Sequence, residues 1–251
     1  MHGYLAQPAP VAIAHRGGSR EAEENTLPAF ARAVAMGYGH VETDVHLTAD
    51  GHVVIHHDPT LARMTGDPRA IAGMTLAQLR AVRTPGGAGV PLLSELLEEY
   101  PALKVNIEAK SDAVVEPLAR LLTRMRALDR VGTGSFNPAR IQRLRALLGE
   151  GLCWSPAHLG VLGLWLRGWG LPLPRGAFPV VQVPESFRGI PVVTPRFLRA
   201  ATAAGVRVQV WTVDDPARMH ALLDMGVHGL MTDRPSVLKS VLQQRGAWRD
   251  A

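Results

Sequence analysis

The sequence predicts an α/β fold, a (β/α)8 TIM barrel forming one domain over residues 1–251, and three observations lead there. The chain has 251 residues, a length at which α/β barrels stay undivided. Short apolar segments of strand length alternate with longer segments of helical periodicity eight times, the pattern of parallel βαβ units. The third observation is where the polar residues fall. His15, Glu42, Asp44, His57, Glu108 and Lys110 lie in or directly after apolar strand segments, and barrels of this kind gather their reactive groups at the C-terminal strand ends.

The first unit is VAIAH followed by TLPAFARAVAMG, where Asn25-Thr26-Leu27-Pro28 supplies a cap and a first-turn proline and Gly37 ends the helix. The second strand is HVETDVHLT, and its helix, PLLSELLEEY, arrives only after an insertion. KVNIEAK with AVVEPLARLLTRMRAL is the third unit, and VGTGSF with PARIQRLRALLG, closed by Gly149, is the fourth. LCWSP and the tryptophan-rich stretch after it form the fifth. VVQVPES precedes TPRFLRAATAAG, opened by Thr194-Pro195 and closed by Gly205. VRVQVWTV precedes PARMHALLDMG, closed by Gly226, and GLMTD precedes PSVLKSVLQQRG. Each crossover is long enough to bring the next strand back parallel.

Two stretches depart from this regularity. Residues 48–92 are far longer than an ordinary strand-to-helix loop. Within them Thr48-Ala49-Asp50-Gly51 reads as a turn into the strand-like HVVIHHD, and the rest, with Pro59, Gly66, Pro68, Gly86 and Gly87, reads as an insertion over the barrel mouth. Residues 158–176, HLGVLGLWLRGWGLPLPRG, hold Trp165 and Trp169 around Arg167. They are too short and interrupted to span a bilayer. They read as a barrel helix with an apolar inner face, with peripheral membrane contact as the alternative.

Composition narrows the function. The chain is 47% hydrophobic and 20% charged, the profile of a soluble globular protein. Its net charge is +5, but the arginines that supply it are scattered along the sequence, whereas a nucleic-acid binder would concentrate them. A mild positive field can still draw in an anionic small molecule. The lone Cys153 has no internal disulfide partner and reads as a small core residue. No signal-peptide pattern opens the sequence, so cytoplasmic residence is expected. Nothing in the residues sets an oligomeric state.

Strand periodicity assigns the chemistry. Glu42, Asp44 and His46 share one face of their strand, and Asn106, Glu108 and Lys110 share one face of the next. If those faces look inward, three carboxylates converge, and a bound cation is one way to relieve their repulsion. Oxygen donors without cysteine suit a hard divalent ion, Mg2+ or Ca2+, with Mn2+ also admissible. The competing reading is an ion-pair network through Lys110, Arg16 and Arg20. His15 and His57 close their strands beside this cluster and suit a general acid and general base near neutral pH. Arg16 and Lys110 offer positive charge to an anionic substrate. His40, His52, His56, His158, His220 and His228 read as surface or structural.

These motifs, HRGGSREAEENTLPAFARAVAMG, HVETDVHLTADGHVVIHHDPTLARMTG, IEAK, SF, VWTV and GVHGLMTDRP, resemble in order those of the glycerophosphodiester phosphodiesterases across essentially the whole chain. The resemblance implies a TIM barrel with a small insertion after the second strand. It implies hydrolysis of a small-molecule glycerophosphodiester to sn-glycerol 3-phosphate and an alcohol. On this pattern His15 and His57 are the acid/base pair, Glu42, Asp44 and Glu108 the metal ligands, and Arg16 and Lys110 the phosphate contacts. Phe136 and Trp211 are pocket walls, and Glu24 and Asn25 occupy a turn that holds the site in shape. Two rival expectations are a phospholipase D-like enzyme acting on lysophospholipids and a catalytically silent barrel that binds glycerophosphate. The chain departs from the family at His228, where aspartate is common, and the Trp165 stretch matches no family motif.

Overall fold

The computed structural model describes residues 2–174 and 176–250; Arg175, within the segment 158–176 read as a barrel helix with peripheral membrane contact as the alternative, lies outside the described residues. In chain order the elements are β1 (Val11–His15), α1 (Leu27–Ala35), β2 (His40–Leu47), β3 (Val53–Ile55), α2 (Ala62–Thr65), α3 (Leu76–Leu79), α4 (Leu93–Glu99), β4 (Lys104–Ala109), α5 (Val115–Arg124), β5 (Val131–Gly134), α6 (Pro138–Leu148), β6 (Cys153–Trp154), α7 (His158–Arg167), β7 (Val180–Pro184), β8 (Ser186–Phe187), β9 (Ile190–Pro191), α8 (Pro195–Ala203), β10 (Arg207–Trp211), α9 (Pro216–Asp224), β11 (Gly229–Thr232) and α10 (Pro235–Gln244). Eight of the strands run parallel in the order β6-β5-β4-β2-β1-β11-β10-β7. The barrel is nearly closed. At the seam between β6 and β7 the Gln182 amide donates to the Ser155 hydroxyl at 2.9 Å.

The predicted caps operate. Thr26 and Thr194 accept from the backbone N–H three residues on, and Gly37, Gly149, Gly205 and Gly226 all take the positive φ that ends a helix. Alternate strand residues such as Val41, Val45, Val105, Ile107, Val208 and Val210 join the main hydrophobic core. The other face of each strand lines the barrel interior.

The N-terminal end of that interior is filled by Tyr4, from a 3-10 turn at Gly3–Leu5. Its ring is fully buried, its hydroxyl donates to Gln209 at 3.3 Å, and its carbonyl accepts from His40 Nε2 at 2.9 Å. A Cβ on Gly132 would come within 2.8 Å of the Tyr4 ring, so β5 needs glycine there. His40 is thus an interior structural residue, and burial pushes its pKa down to about 4.

The insertion begins with β3, which pairs antiparallel with β2. It has its own small core of Val54, Leu61, Ile71, Met74, Leu79 and Val82. Glu23 ties it to the loop between β1 and α1, accepting from Thr84 Oγ1 at 2.5 Å and the Gly86 amide at 2.7 Å. Among the described residues no helix is long and apolar enough to cross a membrane.

Candidate active site

His15 ends β1, and the residues after it turn sharply: Arg16, Gly17 and Gly18 all have positive φ. Glycine is required at the last two, because a Cβ would come within 2.8 Å of Ala29 at Gly17 and 2.5 Å of Pro235 at Gly18. The turn folds Arg16 back over β2. Its amide donates to the Glu42 carbonyl at 3.0 Å and to Glu42 Oε2 at 3.2 Å. Its side chain pairs with Glu24 at 3.1 Å and with Asp44 at 3.2 Å. Asn25 is buried at positive φ, accepts from Thr43 at 2.8 Å and donates to Asp44 Oδ2 at 3.0 Å. The turn expected to shape the site therefore orients one of its carboxylates.

The two histidines are held alike. His15 Nδ1 donates to Asp233 Oδ1 at 2.5 Å, and its Nε2 stands 3.6 Å from Glu42 Oε2. His57 Nδ1 donates to Asp58 Oδ1 at 2.7 Å. In each, a carboxylate holds the ring through Nδ1 and so fixes the orientation of Nε2. Burial opposes charging His15, but the Glu42 carboxylate and the Asp233 hydrogen bond outweigh it and raise its pKa. Asp58 also accepts from Arg63 at 2.6 Å, and Arg63 reaches Glu24 at 2.6 Å. Insertion and first loop are joined at the mouth, and His46 adds a bond to the His57 carbonyl at 3.1 Å.

Lys110 connects the acidic residues, its Nζ lying 3.4 Å from Asp44 and 3.3 Å from Glu108. Burial and the neighbouring Asp44 charge raise the Glu42 pKa to about 8, against the pull of His15 and Arg16. Burial likewise raises Glu108, opposed by Lys110. Asn106, beside Glu42 in register, has a buried Oδ1 without a hydrogen-bond partner. Among the described residues no three Asp, Glu, His or Cys side chains are gathered into a coordination sphere. The donor chemistry nevertheless fits a hard cation: oxygen donors in a buried site, where burial raises the pKa of Glu42 and Glu108 and added positive charge would favour their ionised forms.

Of the expected ion-pair network, Lys110 and Arg16 participate, while Arg20 pairs with Asp214 at 3.3 Å. Phe136 and Trp211 meet edge to face at 5.6 Å, and Trp211 packs on Val11, Ile13 and Met231 inside the barrel. Sequence reading did not single out Asp233 or Arg63. Asp233 carries the signal that exposed the others, a carboxylate directly after a barrel strand; Arg63 lies on a short helix of the insertion and carries none.

Imidazoles, carboxylates and cationic side chains at the C-terminal mouth of a parallel barrel, with the interior plugged at the other end, place the candidate site where enzymes of this barrel class carry theirs. The glycerophosphoryl diester phosphodiesterase family model matches residues 15–237. A probable glycerophosphodiester phosphodiesterase 2 of Mycobacterium tuberculosis is 37% identical, over 99% of this chain and 96% of its own. A putative glycerophosphoryl diester phosphodiesterase from Agrobacterium tumefaciens superposes with TM-score 0.78 at 26% identity, covering 94% of this chain and 98% of that one. An Oleispira antarctica phosphodiesterase in complex with the product sn-glycerol-3-phosphate superposes with TM-score 0.75 at 24% identity, over 93% and 97%. The chain belongs to the glycerophosphoryl diester phosphodiesterase family, and is thereby a phosphoric diester hydrolase.

Proposed function

We propose that this chain hydrolyses glycerophosphodiesters to sn-glycerol 3-phosphate and an alcohol, using His15 and His57 as acid and base and one divalent cation. The observation that carries the reading is the pair of imidazoles, each held at Nδ1 by an aspartate, beside carboxylates that burial keeps hard to ionise. Family enzymes generally depend on a divalent metal, and Glu42, Asp44 and Glu108 would hold it. When bound, the ion supplies charge neutralisation at the phosphate oxygens. Lys110 and Arg16, now engaged with Asp44, would then turn to the substrate phosphate. One imidazole takes the proton of the nucleophile, water or the glycerol 2-hydroxyl, and the other returns a proton to the departing alcohol, each worth about a hundred- to ten-thousand-fold. On the hydroxyl route the same pair then activates water to open the cyclic phosphate to sn-glycerol 3-phosphate. Phe136 and Trp211 wall the pocket, and the protein works on small molecules in the cytoplasm.

The test is a set of glycerophosphodiesters with different alcohols, assayed for sn-glycerol 3-phosphate with Mg2+, Ca2+ and Mn2+. Release is expected with at least one ion and none after strong chelation; turnover indifferent to chelator ends the metal assignment. Glu108→Gln should raise the metal concentration needed for half-maximal activity while leaving the fold intact. Comparing glycerophosphocholine with a lysolipid separates the phospholipase D-like alternative. Cyclic glycerophosphate in a single turnover would mark attack by the glycerol hydroxyl, and its absence attack by water.

A further inference from the structure

Surface helices of a barrel carry charge on their outer face, but α7, HLGVLGLWLR, has only His158 and Arg167 among apolar residues. Of its residues only Leu164 is fully buried, and Leu159 is 81% exposed. The barrel-helix expectation therefore covers one side of α7 and leaves the other unaccounted for. Beside it stands the β8–β9 hairpin, where Phe187 pairs with Ile190 across Arg188 and Gly189, both at positive φ. This is the tight two-residue turn that suits strand twist, and at its tip it presents Phe187, Arg188 and Ile190, the last 58% exposed.

Hairpin and helix form one surface. Phe187 lies 5.3 Å from the His158 ring, and the Trp165 indole donates to the Pro191 carbonyl at 3.2 Å. Trp169, 58% exposed, continues the row 5.6 Å from Trp165, with Arg196 stacked 4.3 Å above it. At the other end His158 meets Phe136 at 5.7 Å, so the surface runs into the pocket wall.

Charge identifies the occupant. From residue 151 to residue 213 the sequence has six arginines and one acid, Glu185, and Glu185 is already paired with Arg218. That excess equals the net charge of the whole chain, +5, so the remaining residues balance. Three of these arginines lie at the surface itself: Arg167 on α7, Arg188 over the Phe187 ring and Arg196 over the Trp169 ring. Aromatic and aliphatic side chains interspersed with arginine suit the headgroup and acyl boundary of an acidic membrane.

We propose that α7 and the β8–β9 hairpin form a docking surface for an anionic phospholipid bilayer, setting the active-site mouth at the edge of the membrane. Binding is read without turnover, so this inference stands or falls apart from the hydrolytic reading. The full-length protein is co-sedimented with vesicles of phosphatidylcholine alone and of phosphatidylcholine mixed with phosphatidylglycerol. It should bind the mixed vesicles, lose binding as salt rises, and largely ignore the neutral ones. Arg188→Glu with Ile190→Ser should weaken binding about tenfold or more, since each cation near an acidic surface is worth about fivefold. Leu159→Ser should weaken it from the helix side. All three positions are exposed, so melting temperature and glycerophosphocholine turnover should not change. Equal sedimentation with both vesicle types, or unaltered binding by the variants, overturns the proposal. So does sedimentation velocity showing a dimer that the same substitutions dissociate, which would make a second copy the occupant.

Discussion

His15 and Asp233 show how one side chain sets what another can do. A carboxylate on Nδ1 fixes both the tautomer and the tilt of the ring, so on the proposed acid/base role Nε2 is aimed before substrate arrives. Asp233→Asn keeps the size of the partner but offers His15 the wrong hydrogen-bonding pattern. We expect kcat to fall at least tenfold with KM and melting temperature little changed, because loss of the orienting carboxylate in such arrangements costs up to about ten-thousand-fold. An asparagine variant with wild-type kcat would remove Asp233 from the machinery. His15→Ala and His57→Ala should each abolish turnover while circular dichroism and metal binding persist, and near-normal activity in either would reassign the acid/base pair. These residues were legible in sequence because period-two spacing puts charge on one face of an apolar strand, where it needs a reason. Arg63 was not, since an arginine on a short exposed helix looks like any other until the chain folds it 2.6 Å from both Glu24 and Asp58.

At the scale of elements, all eight strand and helix pairs were readable from their apolar periods, reinforced by caps and glycine stops at α1, α6, α8 and α9. The β8–β9 hairpin was not, its two-residue strands being too short to show a period, and the Tyr4 turn lies before the first strand with no periodic signal. Histidine 228, which stands before β11, illustrates an element held by a neutral ring. Its Nδ1 accepts the Val208 amide at 3.1 Å, and burial, with Arg207 nearby, keeps its pKa below the ordinary 6.5. The unfolded chain therefore binds this proton more tightly than the folded one. The associated stability is complete above about pH 6.5 and is lost as pH falls through the lower folded value. An aspartate at this position can accept the same bond without titrating there. Urea unfolding of wild type and His228→Asp should give a stability difference that moves in favour of the variant on acidification through that window. A difference independent of pH would show that the ring does not titrate with folding.

For the whole molecule, the barrel must be shut at one end for the other to work as a dry, fixed site. Tyr4 does this by inserting a complete aromatic ring beside the polar layer of His40, Gln182 and Gln209. Removing so large a buried side chain by Tyr4→Ala should cost about 3–5 kcal/mol in urea unfolding, from lost transfer and the cavity left behind. Tyr4→Phe should cost only about 1 kcal/mol, the worth of the hydroxyl bond. The plug also explains a glycine: in wild type, Gly132→Ala drives a Cβ to 2.8 Å from the ring, closer than carbon atoms tolerate, and must push Tyr4 or β5 aside. In the Tyr4→Ala background that space is open, and the same alanine fills part of the cavity. The two substitutions should therefore be strongly non-additive, with Gly132→Ala destabilising alone and neutral or stabilising once the ring is gone. Additive costs across that double-mutant cycle would mean that the turn at Gly3–Leu5 leaves the barrel floor in solution, and that the strands close without it.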